Sequence, residues 1–69
     1  MDIAKKIKMA EAYAGKSEAE LARELGTSAQ AFGQRMKTGK FSSKDLEAIA
    51  AALGAEVVFY FQFPDGAKV

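Results

Sequence analysis

A chain of 69 residues makes one small domain, which buries only about 60% of the surface its unfolded form exposes and leaves little room for a deep catalytic cleft. It holds no cysteine and no histidine, so disulfides, thiolate or imidazole metal sites and the usual near-neutral general base are all missing; no enzyme activity, cofactor, metal or small-molecule substrate is expected. The net charge of +1 excludes a basic tail, no run approaches the roughly 20 apolar residues of a membrane span, and the start lacks a signal peptide's apolar core, which makes a cytoplasmic location the default.

In chain order, Ile3, Ile7, Ala10 and Ala14 recur at helical spacing, with Lys5, Lys8 and Ala12 opposite them. This predicts a first helix, closed by Gly15 where a helix end favours a positive φ. Ser17 followed by Glu20 forms a capping box that opens a second helix of about two turns, whose stripe is Leu21, Ala22 and Leu25 before Gly26 ends it. Thr27 or Ser28 can cap a third helix over about 28–38, with Ala29, Phe32 and Met36 on its inner face. Phe41 and Leu46 flank Ser42 at the spacing of a hydrophobic staple, and Asp45 completes a second capping box. A fourth helix is therefore expected to run to Gly54 on a stripe of Leu46, Ile49, Ala50 and Leu53.

From residue 55 the period changes. In "AEVVFYFQF", Val57, Phe59, Phe61 and Phe63 alternate with Glu56, Val58, Tyr60 and Gln62, which predicts a strand. Pro64, Asp65 and Gly66 supply the corners and the left-handed residue of a tight hairpin turn. The expected fold class is mostly α with a C-terminal β-hairpin: a four-helix bundle over 1–54 and a hairpin over 55–69, both in one domain.

Charge is distributed unevenly. Between Leu25 and Lys44 lie Arg35, Lys37, Lys40 and Lys44 with no acidic residue, whereas the remainder holds six basic against nine acidic side chains. The second and third helices are each too short to stand alone, and the short break between them forces a corner, so they must pack as one unit. At about 100° per residue, Gln30, Gln34 and Lys37 point away from Phe32 and Met36, with Gly33 beside them. An outward row of amide and cation suits a major groove, because Gln can donate and accept at adenine's edge and Lys can reach guanine or a phosphate. Small Ala31 and Gly33 permit close approach, at about 0.8–1 kcal/mol of helix propensity for the glycine. The plain alternatives are a close helix contact at Gly33 and ordinary solubilising lysines.

The stretch "SEAELARELGTSAQAFGQRMKTG" with the following "FSSKDLEAIAAALG" resembles the Cro and phage-repressor class of helix-turn-helix proteins, the Xre family, over about residues 3 to 54. The resemblance rests on Leu21-Ala22, on Leu25-Gly26 at the turn, on Ser28 as cap and on the closing "LEAIAAALG". It implies a regulator, acting as repressor, whose third helix enters the major groove while the second crosses the backbone. Carried over by position, Ala29, Gln30, Gly33 and Gln34 become the base-reading set. Lys37, Lys40, Ser42, Ser43 and Lys44 become phosphate contacts, aided by backbone N–H groups at the start of the fourth helix. Arg35, toward the side of its helix, is left to pair with Glu24 or touch a phosphate. Two departures stand out: Glu18 occupies a position that often carries Gln, and Lys16 one that is commonly apolar.

A nine-residue strand spans about 30 Å, yet only Ala67, Lys68 and Val69 remain to return along it, so one edge stays bare. The economical partner is a second copy, paired about a two-fold axis through Val58, Tyr60 and Gln62, which sets two recognition helices about 34–36 Å apart for a palindromic operator. Core filling in a monomer is the plain alternative. Stacking of unpaired nucleotides is disfavoured because the segment carries Glu56 and no cation. The rival function is a protein-interaction module that uses the aromatic strand for strand addition.

Overall fold

Helices leave their first N–H groups without partners, and in this protein a polar side chain meets one at every start. In the computed structural model, which describes residues 2–69, Asp2 caps α1 (Ile3–Ala14), Ser17 caps α2 (Glu18–Glu24), Ser28 caps α3 (Ala29–Thr38) and Ser42 caps α4 (Ser43–Ala52). A cap of this kind contributes about 1 kcal/mol. Both expected capping boxes form: the Ser17 N–H donates to Glu20 at 3.2 Å and the Ser42 N–H to Asp45 at 2.8 Å. These bonds, with the serine hydroxyls, hold the Glu20 and Asp45 carboxyls below their ordinary range, Arg35 adding to the effect at Asp45. Gly15 closes α1 at φ 71°, where a side chain would be strained.

The core sits where the four helices meet. Phe32 and Leu21 are fully buried, joined by Ala22, Ile7, Met36 and Ile49, and Phe41 and Leu46 press on this cluster from the start of α4. The Phe41 ring lies 6.4 Å from that of Phe32, tilted by 56°, within the range where aromatic pairs attract. Two inner-face assignments are corrected: Ala14 and Ala29 are exposed, the last residue of α1 and the first of α3, where a helix end runs out past its neighbours. No helix of the described residues is long and apolar enough to cross a membrane.

The tail departs from expectation more widely. The turn forms as read, with Gly66 at φ 92° and its N–H donating to the Phe63 carbonyl at 2.9 Å. The β-hairpin does not: the described residues contain no strand, only an isolated antiparallel bridge between Gln62 and Lys68. Phe61 and Val69 exchange bonds of 2.6 and 2.9 Å, and the Phe63 N–H donates to Ala67 at 2.8 Å. The two segments bond only beside the turn, and an isolated pair of that size is marginal, so β-propensity alone leaves no ladder. Nor does the apolar row fill the core. Val57 and Phe59 lie beside Ser43, Leu46 and Glu47 of α4, yet Phe59 remains 71% exposed, and Phe61 and Phe63 are exposed too.

Candidate nucleic-acid interface

The corner between α2 and α3 is built by backbone bonds that a short turn can reach: Gly26 N–H to Arg23 and Thr27 N–H to Ala22, at 3.1 and 3.0 Å. The Ser28 hydroxyl accepts the Ala31 N–H at 3.0 Å and starts α3. Beneath α3, Phe32 and Met36 are buried; above it, Gln30, Gln34 and Lys37 are exposed. The expected division of the helix into an anchored face and an open one is therefore present, and the tail does not cover the open face, since no residue of 55–69 lines it.

At Gly33 the plain packing account finds no support. A Cβ there would meet only the Glu18 carboxylate, at 3.9 Å, an ordinary contact that needs no glycine. The sequence-predicted base-reading residues Ala29, Gln30, Gly33 and Gln34, with Lys37, all line one side of a single open groove of about 920 Å³. Its opposite side comes from the first turns of α1, where Lys5 and Lys8 stand exposed, and Glu18 closes one part of it. Lys5 and Lys8 escape sequence reasoning as site residues, because nothing local says that the start of α1 lies across from α3. Their only signal is their spacing on the polar side of the first helix.

The expected phosphate contacts are less uniform. Lys40 and Lys44 are exposed and make no side-chain bond among the described residues. Ser42 is engaged within the protein: its hydroxyl accepts the Asp45 N–H at 3.1 Å and its own N–H goes to Asp45. Ser43 is exposed but borders Val57 and Phe59. Arg35 does not pair with Glu24. It binds Asp45 at 2.6 Å and covers the Phe41 ring at 5.2 Å, tying α3 to α4. Ten residues separate Arg35 from Asp45, outside any local spacing rule. Glu24 instead takes Lys16, whose ammonium also donates to the Ala52 carbonyl at 2.5 Å. Lys16 thereby clamps the α1–α2 corner to the end of α4.

One carboxylate is out of place. Glu11 is 7% exposed, and its Oε2 has no hydrogen-bond partner among the described residues. Burial pushes its carboxyl above the ordinary range, Glu18 pushes it further, and Lys8 acts against both. Comparison with protein-family models, with curated proteins and with solved structures gives no match for this chain.

Proposed function

We propose that this chain is a small sequence-specific double-stranded DNA-binding regulator of transcription, acting as a repressor of the Cro and phage-repressor (Xre) helix-turn-helix type. The observation that carries this reading is the two-sided construction of α3: Phe32 and Met36 fix it from beneath while Gln30, Gln34 and Lys37 stand in solvent. An amide can bond adenine's N6 and N7 at once, and Lys can reach guanine's O6 and N7. In this reading α3 lies in the major groove, with Ala29 and Gly33 permitting close approach, Gln30 and Gln34 reading bases, and Lys37, Lys40, Ser43 and Lys44 on the flanking phosphates.

The tail supports a homodimer on a palindromic operator. Phe61 and Phe63 direct their backbone groups toward the return segment, so in a strand formed on pairing, alternation would turn those of Val58, Tyr60 and Gln62 to the other edge. A second copy on that edge would supply the ladder the single chain lacks. Strand addition to a different protein is the second reading, favoured by the same exposed aromatic residues.

A salt series on a random-pool selection of duplexes tests the reading. Duplex binding through several phosphates should weaken by orders of magnitude between about 50 and 200 mM salt, whereas strand addition to a protein should respond little. Failure to enrich any duplex sequence over the starting pool sinks the base-reading assignment.

A further inference from the structure

We infer that the first turns of α1 form a second DNA-contacting wall, on which Lys5 and Lys8 hold the sugar-phosphate strand that rims the groove entered by α3. The inference rests on the DNA-binding reading above and names contacts that neither composition nor helical spacing supplies. Its basis is the shared groove: Lys5 and Lys8 line it from α1 and Gln30, Gln34 and Lys37 from α3, all five exposed.

Charge complementarity selects the occupant. Three ammonium groups face the groove against two carboxylates, Asp2 and Glu18. The Asp2 carboxylate already accepts the Lys5 N–H at 3.0 Å as the cap of α1, which leaves Glu18 as the acid of the lining with no side-chain bond among the described residues. A drug-sized ligand would need a largely enclosed site with placed polar anchors. This groove is open, and its cations sit on long mobile stems, which suits a chain of phosphates that can be gripped without exact placement. Lys6, the neighbour of Lys5, is equally exposed but lies outside the lining. It makes an internal control of the same chemistry.

The test compares wild type, the Lys5→Ala/Lys8→Ala double variant and Lys6→Ala on a random-sequence duplex of about 20 base pairs, two helical turns, across a salt series. Loss of two phosphate contacts should lower the slope of log affinity against log salt by about 1.8, and the wild-type advantage should then shrink roughly tenfold between 50 and 200 mM salt. Lys6→Ala should keep the wild-type slope, and all three proteins should share one thermal midpoint. A double variant with the wild-type slope, or a Lys6→Ala variant that loses as much, overturns the second wall while leaving α3 as the reader. Absence of wild-type binding to any duplex at 50 mM salt overturns both.

Discussion

The helical bundle and the C-terminal tail are both rich in large apolar side chains, yet only the bundle buries its own. Phe32 and Leu21 are wholly enclosed, while Phe59 and Val58 are 71% and 76% exposed. The difference lies in where each element finds its hydrogen bonds. A helix satisfies its backbone within itself, so its apolar stripe is free to meet whichever neighbour the short turns bring near. An extended segment needs another chain beside it before its side chains can form a surface. In this protein the helices bury their stripes against one another, and Val57 to Tyr60 keep their side chains exposed.

The sharpest way to break the comparison is at its buried end. Phe32→Ala should destabilise by about 3–5 kcal/mol through the cavity it opens. That is a large share of the 5–15 kcal/mol typical of a domain, and helical circular dichroism against urea reads it. A protein that kept its wild-type midpoint would show that the aromatic ring does not hold the bundle. The outer row of α3 is exposed like the tail but polar, and it should behave differently from both. Gln30→Ala or Gln34→Ala should leave stability unchanged and reduce discrimination between selected and random duplexes by about 1–3 kcal/mol. Lys40→Ala should weaken both duplexes alike, and equal losses from all three variants would remove the base-reading role.

Glu11 is the bundle's exception, a buried acid with an unpartnered oxygen, and Glu11→Gln, which cannot ionise, should raise stability at neutral pH. Because the folded carboxyl is held above its unfolded value, its penalty appears as pH rises through the ordinary range near 4.5, where the unfolded chain ionises first. The gain should therefore vanish below that range, and a gain of the same size at pH 3 would show that charge is not its cause. Glu20 and Asp45 carry the opposite sign: their lowered carboxyls favour the fold at neutral pH, and that support is lost as pH falls. Gly33→Ala should stabilise α3 by about 0.8–1 kcal/mol, since nothing but the Glu18 carboxylate lies near the added methyl. If close approach to DNA explains the glycine, the same variant binds its duplex less well. Smallest of all, Tyr60→Lys should shift the monomer's midpoint by no more than about 0.5 kcal/mol while raising the concentration at which sedimentation detects a dimer. A change in the monomer's stability of several times that size would place the tail in the core after all.

Much of the bundle was legible because its signals are local. Ser17 with Glu20, and Ser42 with Asp45, are bonds between residues three apart, and the stripes through Ile7, Leu21, Phe32 and Ile49 recur at the helical period. The two faces of α3 follow from the same arithmetic. What escaped was non-local. The Arg35–Asp45 pair, the Lys16 clamp on Glu24 and Ala52, and the nearness of Lys5 and Lys8 to α3 each join elements whose distance in space no spacing rule supplies. The tail failed for a related reason: alternation in "VVFYF" records a preference for extended backbone, but a ladder needs a neighbouring segment bonded along its length, and the described residues bond only beside the turn.

By itself the amino-acid sequence determined the four helices, the two capping boxes at Ser17 and Ser42 and the division of α3 between buried Phe32 and Met36 and exposed Gln30, Gln34 and Lys37, because helix geometry is closed within a few residues. Only the tertiary structure decided that α1 and α3 share one groove, that Arg35 and Lys16 serve the fold, and that the aromatic tail stays unburied. Those outcomes depend on which surfaces meet in space, and a surface that meets nothing within its own chain keeps its apolar side chains in water.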